Sequence, residues 1–358
     1  MRNLFILVLI ALLFPNCNQT KQTKKLTETQ SLKNEDEQPV VVQFIIDGLM
    51  SDAAETAIAA GAENLKFFAE HGVVVDDAYS NSPVGRVKLP DGSEPWGGAS
   101  PPNIGMHTGM HIFENQQLDD IFLSAKRNGI KSIYVGGHKL YDVFKTPDIH
   151  YAEIMSDENV VELAMKHIKE DGARLVRLHL QQIRDFWTGP QDKTNPDSEY
   201  IKAILNADAE LGRLITFLKQ ENLWETAYFI ISADHGMGTL SKSNHLSEQL
   251  SSWQIYMNFY GPNIKKGETI PYAESPDVAI MTNYFMGLQP LQGYTSKTES
   301  LNLNKLKTTG VFLDNIFEGN PDTLEHPHWI KTYLDKNAES PPNDYLHYRE
   351  AMLKFIKN

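Results

Sequence analysis

Two apolar segments, each followed by an acidic residue, constrain the fold of this chain most strongly. In residues 228–237 (YFIISADHGM), an apolar run leads directly into Asp234 and His235. Residues 40–46 (VVVQFII) are followed in the same way by Asp47 and a glycine. Unbroken apolar runs are typical of strands buried in a parallel sheet, and ligands bind at the carboxyl edge of such a sheet. The two segments therefore predict a metal site to which both strands contribute.

Strands and helices alternate along the rest of this region. The hydrophobic spacing predicts strands at 131–135, 174–180 and 254–260, and helices at 52–71, 117–128, 158–170, 198–218 and 275–286. Alternation of this kind requires right-handed crossovers between neighbouring parallel strands. The predicted fold class is therefore α/β, with a mainly parallel central sheet, helices on both faces and three layers.

The start of the chain is predicted to be a targeting signal. An apolar run at 4–14 is too short to span a bilayer and is typical of a secretory signal peptide. Cys17, the only cysteine, stands where bacterial lipoprotein signals carry their lipidated cysteine; the alternative is ordinary cleavage nearby. We expect a signal peptide at 1–17 and export to the bacterial cell envelope, periplasm or outer membrane, with membrane attachment through Cys17.

Composition separates the remaining chain into two parts. Residues 18–39 are polar and cannot bury enough apolar surface to fold, which predicts a flexible tether before a domain at 40–358. The 33 Lys and Arg against 46 Asp and Glu give a formal charge of −13. This charge argues against binding to nucleic acid, which relies on basic contacts to phosphates. It does not exclude a phosphate-ester substrate, because a bound metal supplies local positive charge.

A possible nucleophile, Ser100, is the first residue of the segment 100–109 (SPPNIGMHTG), which is predicted to form a helix. Prolines are tolerated in the first helical turn, so Ser100 is well placed to cap this helix. On structural grounds alone, Ser100 is only a cap. On chemical grounds, a hydroxyl at a helix N-terminus, where backbone N–H groups favour anions, suits attack on a phosphate or sulfate centre.

Three motifs in this order, FIIDG at 44–48, SPPN at 100–103 and SADHGMG at 232–238, resemble the alkaline phosphatase superfamily. The closest resemblance is to its type I phosphodiesterase/nucleotide pyrophosphatase branch, which is related to the sulfatases. The resemblance implies an alkaline phosphatase-like α/β domain at 40–358. It also implies hydrolysis of a small-molecule, glycan or lipid phosphate ester through a covalent intermediate.

The resemblance further implies one or two divalent cations, Zn²⁺ above all, with Mn²⁺, Mg²⁺ or Ca²⁺ as alternatives. A metal bound to the nucleophile would lower the pKa of its hydroxyl and neutralise charge on the phosphoryl oxygens. Carried over to this sequence, the implied metal ligands are Asp47, Ser100, Asp234, His235 and, for a second ion, His245.

Two catalytic residues are implied as well. Ser100 would be the nucleophile, and Asn115 would donate a hydrogen bond to the transferred group; a cap of a surface helix is the other interpretation of Asn115. Counting back without a gap from Thr108 and the glycine after it places Ala99, not Ser100, at the nucleophile position. In that alignment the nucleophile is absent.

The predicted second metal site departs from the family pattern. Gln182 and Phe186 stand where the family has an acid and a histidine, and neither can replace them as ligands. Asp185 or His179 could compensate, although strand alternation leaves the direction of both side chains open.

These departures keep other functions open. A degenerate member could bind a ligand or glycan at the cell surface without hydrolysis, and sulfatase-like or phosphotransferase variants are further alternatives. Among other candidates, we expect His107 and Trp187 to be packed rather than functional, and His138 to be a possible substrate contact.

Overall fold

The structure is a computed structural model that describes residues 38–80, 101–108, 120–139, 146–238, 250–262, 264–288 and 291. Residues 1–37, with the predicted signal, Cys17 and nearly all of the tether, lie outside the described residues. No helix of the described part is long and apolar enough to cross a membrane.

The described strands form one eight-stranded sheet with the order β4-β3-β5-β1-β6-β7-β2-β8. Strand β7 runs antiparallel to β6 and β2, and all other neighbours are parallel. The predicted mainly parallel sheet is therefore confirmed. The strands are β1 Val41–Ile46, β2 Val73–Tyr79, β3 Ser132–Gly136, β4 Ile149–Ala152, β5 Leu175–Leu180, β6 Tyr228–Ser232, β7 Met257–Tyr260 and β8 Glu268–Glu274.

Most predicted helices are present, but the single helix expected at 52–71 is wrong. Two helices occupy this range because the chain turns at Gly61, where φ is +111°, a conformation that favours glycine. The helices are α1 Ser51–Ala59, α2 Glu63–His71, α3 Pro101–Thr108, α4 Ile121–Arg127, α5 Asp157–Glu170, α6 Gln182–Asp185, α7 Glu199–Gln220, α8 Leu250–Trp253 and α9 Ser275–Phe285.

Helices cover both faces of the sheet, as predicted. Gln43 and Asn258 pair in register with successive residues of β6, so their side chains point to opposite faces. On one face, Gln43 Nε2 donates to Thr282 Oγ1 of α9 at 2.6 Å. On the other, Asn258 Nδ2 donates to the carbonyl of Phe68 in α2 at 2.9 Å.

The central strands explain the apolar runs of the sequence. Every residue of β1 and β5 is buried, because helices lie on both faces and strands on both edges. Burying one Val, Leu or Ile side chain contributes roughly 1.5–3 kcal/mol, so this core holds the carboxyl ends of β1, β5 and β6 in fixed register.

Candidate functional site

The carboxyl ends of three adjacent strands bring four functional side chains together. Asp47 directly follows β1, His179 is the penultimate residue of β5, and Asp234 and His235 follow β6. Because β1 lies between β5 and β6 and Ile45 pairs with His179, these strand ends lie at the same level of the sheet. The convergence predicted from the two apolar segments is present.

This group is here called the metal cluster (Asp47, His179, Asp234 and His235), and three of its members, Asp47, His179 and Asp234, are close enough to one another to share a cation. His179 Nε2 lies 3.6 Å from Asp47 Oδ2 and 3.7 Å from Asp234 Oδ2. His235 Nε2 lies 3.5 Å from Asp47 Oδ1 and 3.8 Å from Asp234 Oδ2. Two ligands of a tetrahedral cation with bonds of about 2.0–2.2 Å are themselves roughly 3.3–3.6 Å apart.

The chemistry of the donors agrees with these distances. Asp47, His179 and Asp234 each offer one ligand atom, and these atoms lie within 4.8 Å of one another in buried surroundings. Two carboxylates and two imidazoles are ligands that Zn²⁺ and other first-row divalent cations accept. The residues present therefore fit a divalent cation.

Electrostatics prepare Asp47 for this role. Burial alone would raise the pKa of its carboxyl, but the neighbouring His235, Arg184 and His179 outweigh burial and hold the pKa well below its usual range. Asp47 is therefore ionised at neutral pH, as a metal ligand must be.

Hydrogen bonds fix the orientation of the two candidate ligands that follow β6. Asp234 Oδ2 accepts from Asn103 Nδ2 at 3.2 Å, and the Asp234 carbonyl accepts from Ser80 Oγ at 2.7 Å. His235 Nδ1 lies 2.9 Å from the Gly236 carbonyl. Since a carbonyl only accepts, Nδ1 carries a hydrogen, and Nε2 is the ring nitrogen that faces the carboxylates.

A buried polar chain continues behind Asp234. Asn103 Oδ1 accepts from Arg177 Nη2 at 2.6 Å, and Arg177 Nη1 donates to Gln43 Oε1 at 2.5 Å. All three side chains are fully buried. This series of hydrogen bonds, here called the Asn103–Arg177 network, connects helix α3 and strands β1 and β5 to the metal cluster.

Two glycines beside the cluster are required by space. A Cβ on Gly236 would lie 2.0 Å from the Ser251 carbonyl oxygen and 2.3 Å from that of Gln254. Gly48 has φ of +79°, and a Cβ there would lie 2.7 Å from Met237 Sδ. The glycine after each ligand motif is therefore explained by packing and backbone conformation.

The structure brings Asp47, Asp234 and His235 together, and the other predicted site residues fall outside the described part. These are Ser100, the alternative Ala99, Asn115 and His245. Helix α3 begins at Pro101, the residue that follows Ser100 in sequence, and its first turn carries Asn103.

The departures from the family pattern have a clear structural outcome. Gln182 is exposed, and its Oε1 accepts from the Asp157 backbone N–H at 2.9 Å instead of facing the cluster. Phe186 is 42% exposed, and the Asp185 side chain is 68% exposed. Of the two possible substitutes, the structure brings only His179 into the cluster.

The sequence contained one indication that His179 belongs to the site, but the apolar residues around it in β5 made that indication hard to interpret. Arg177 and His179 are two apart in β5, so both point to the same face of the sheet. Arg177 itself was missed, because an arginine within an apolar strand indicates a buried partner only after the strands are paired.

Two candidates that we expected to be packed are packed. The His107 ring lies edge-on to Phe122 and Tyr134, with centroids 5.0 and 5.8 Å away. Trp187 is buried, and its Nε1 donates to the Gly238 carbonyl at 3.0 Å.

Comparisons with known proteins agree with this architecture. The family model for type I phosphodiesterase/nucleotide pyrophosphatase matches residues 180–274, which include β6 and the Asp234–His235 pair.

Three solved structures share the fold. Murine ectonucleotide pyrophosphatase/phosphodiesterase 5, inactive and in complex with AMP, has a TM-score of 0.50 and 16% identity, over 75% of this chain and 100% of that chain. A protein in complex with its substrate D-glucosamine-2-N,6-O-disulfate has a TM-score of 0.54 and 11% identity, over 76% and 81%. The lipoteichoic acid synthase of Listeria monocytogenes has a TM-score of 0.50 and 11% identity, over 70% and 72%.

Residues 180–274 thus resemble the type I phosphodiesterase/nucleotide pyrophosphatase family, and the solved structures share the fold of the described residues. The matched segment and the buried Asp/His/Asp group are consistent with a hydrolase that has a metal-binding site.

Proposed function

We propose that this protein is a metal-dependent hydrolase of phosphate esters, of the phosphodiesterase or phosphatase type, with Ser100 as its nucleophile. The spacing of the metal cluster carries the proposal, since the Nε2 atom of each buried imidazole lies 3.5–3.8 Å from an oxygen of each of the two buried carboxylates. The match of residues 180–274 to a phosphodiesterase family favours phosphate over sulfate.

In this proposal each residue has a separate task. Asp47 and Asp234 would supply negative charge to a cation, His179 would add a nitrogen ligand, and the adjacent His235 could add a second. The cation, when bound, lowers the pKa of a coordinated hydroxyl and neutralises charge that develops on the phosphoryl oxygens.

The reaction has two steps. The Ser100 oxygen forms a bond to phosphorus, and the bond to the ester oxygen breaks, so that the alcohol leaves with a proton. Water then attacks phosphorus, which releases phosphate and restores the serine hydroxyl. Helix α3 begins at the next residue, and because Pro101 and Pro102 have no N–H, the backbone N–H of Asn103 is the first in the helix that could favour the anionic substrate.

The substrate class and the cellular location complete the proposal. Two of the structures that share the fold were solved with AMP and with a disulfated glucosamine, and both of these ligands are small and anionic. We therefore propose a small-molecule, glycan or lipid phosphate ester as substrate. The segment at 1–17 supports an exported protein that is lipid-anchored through Cys17 in the bacterial cell envelope.

Turnover of aryl esters tests the proposal. The full chain, loaded with Zn²⁺ or Mn²⁺, is assayed with p-nitrophenyl phosphate, bis-p-nitrophenyl phosphate and p-nitrophenyl sulfate. We expect turnover of a phosphate ester that falls at least a thousandfold in Asp234→Ala. The matched control Asp197→Ala, which removes an exposed carboxylate, should stay within twofold of the wild type.

The same assay addresses the nucleophile and the alternatives. Ser100→Ala should abolish turnover, whereas retained turnover would exclude Ser100 as nucleophile. A metal-loaded protein that is inert on all three esters yet binds phosphate would favour the non-hydrolysing ligand-binding member, for which the exposed Gln182 and Phe186 are the supporting observations. Preference for the sulfate ester would favour the sulfatase-like variant.

A further inference from the structure

A fixed positive charge lies at the rim of the metal cluster. Arg184 belongs to α6, which begins two residues after β5 ends, at the same edge of the sheet. Its Nη1 lies 3.8 Å from Asp47 Oδ2, the oxygen that is 3.6 Å from His179 Nε2. Its side chain is 17% exposed, whereas the Asp47 side chain is fully buried. The Arg184 side chain therefore lies beside the cluster and is partly open to solvent.

Among the described residues, Asp47 and Asp185 are acidic groups near this guanidinium, and their surroundings differ. Asp47 is a cluster carboxylate, so a bound cation would share its negative charge. Asp185 Oδ1 lies 3.9 Å from Arg184 Nε, but its side chain is 68% exposed and its charge is screened by water. With the cluster loaded, the cation and Arg184 would place two positive charges side by side at this rim.

The turn after β3 lies beside the carboxyl end of β5 as well. Gly137 N–H donates to the His179 carbonyl at 3.0 Å, which holds the turn containing His138 against the end of β5. The pKa of the half-buried His138 is lowered, first by burial and then by the Arg184 charge. His138 is thus biased toward its neutral form, in which it can donate or accept a hydrogen bond.

We propose that Arg184 binds the non-bridging oxygens of the substrate phosphate and makes the site prefer doubly charged phosphate monoesters over singly charged diesters. The inference rests on the proposed function and adds a substrate class to it. A guanidinium suits this role because it stays charged and its planar N–H groups match phosphate oxygens in pairs. A monoester dianion carries one more negative charge than a diester, so the added positive charge favours it.

The test compares Arg184→Gln with Arg174→Gln on metal-loaded protein. Arg174 lies just before β5 at the opposite edge of the sheet, about 20 Å from the end of that strand, and is also partly buried. For Arg184→Gln we expect the ratio of kcat/KM for p-nitrophenyl phosphate to that for bis-p-nitrophenyl phosphate to fall at least tenfold. For Arg174→Gln the ratio should stay within twofold, and Arg184→Lys should restore part of it.

A binding measurement makes the inference testable without turnover. Calorimetric titration of inorganic phosphate into metal-loaded protein should show at least tenfold weaker binding in Arg184→Gln, at unchanged metal content by elemental analysis. Equal losses for both esters, or unchanged phosphate affinity, would overturn the role of Arg184 while leaving the proposed hydrolase intact. A wild-type protein that binds metal and phosphate without turnover would instead refute the hydrolase, and the phosphate affinities would still decide the role of Arg184.

Discussion

Removal of the Asn103 side chain should destabilise the protein strongly, because this one amide joins two buried charged groups. Its Oδ1 accepts from Arg177 Nη2 at 2.6 Å, and its Nδ2 donates to Asp234 Oδ2 at 3.2 Å. In Asn103→Ala both charged partners lose a hydrogen bond at a site that water does not reach.

The size of the effect follows from these contacts. A hydrogen bond to a charged group contributes roughly 1.5–3 kcal/mol, so the loss of two predicts about 3–6 kcal/mol. The entropy of unfolding is about 2.1 cal/mol/K per residue, so for a domain that spans residues 40–358 each kcal/mol lowers Tm by roughly 1.5 °C. We therefore expect Tm of Asn103→Ala to fall by at least about 4 °C.

Thermal unfolding followed by circular dichroism, with chelator present, measures this fall without a contribution from bound metal. The matched control is Asn128→Ala, because Asn128 Nδ2 makes a single bond to the uncharged Ser124 carbonyl at 2.8 Å. The control should lose only about 0.5–1.5 kcal/mol. A Tm for Asn103→Ala within 2 °C of the wild type would refute the reasoning.

Three further outcomes follow from the structure. His179→Ala should weaken Zn²⁺ binding at least tenfold in a competition assay, whereas His71→Ala, at an exposed position outside the cluster, should not; equal affinities would remove His179 from the ligand set. Metal at 100 times its Kd should raise the free energy of unfolding by about 2.7 kcal/mol, so chelation should lower Tm; an unchanged Tm would argue against a bound cation. Burial raises the pKa of Asp157 from 3.8 to about 6, so the folded state binds more protons in this window and stability falls as pH rises through it. The free energy of unfolding, measured by urea titration, should therefore decrease between pH 4 and pH 7, and Asp157→Asn should make this decrease smaller by up to about 3 kcal/mol. If the decrease is the same in the variant and the wild type, the raised pKa of Asp157 is wrong.

The sequence predicted the sheet edge because its signal is local. The apolar runs before Asp47 and Asp234 indicate buried parallel strands without knowledge of the neighbours, and the acids that follow them must then lie at one edge. The strand that contains His179 was also predicted, but the direction of its imidazole depended on the strand register, which is defined only once the strands are paired.

Long-range partners could not be predicted in this way. Asn103 and Arg177 are 74 positions apart, and nothing in either segment indicates the other. The break at Gly61 was missed for a different reason, since an isolated glycine within a helical pattern is tolerated at modest cost and does not by itself end a helix.

The steric crowding at Gly236 affects how mutational data on this motif should be interpreted. Any side chain there meets two carbonyl oxygens within 2.3 Å, so every substitution must displace the backbone that follows the cluster. A saturation-mutagenesis screen would therefore rank Gly236 as intolerant as its neighbours Asp234 and His235, although glycine offers no ligand atom. Intolerance at Gly236 therefore reflects the lack of space for a side chain. A measurement of metal affinity is needed to distinguish Gly236 from the candidate ligands Asp234 and His235.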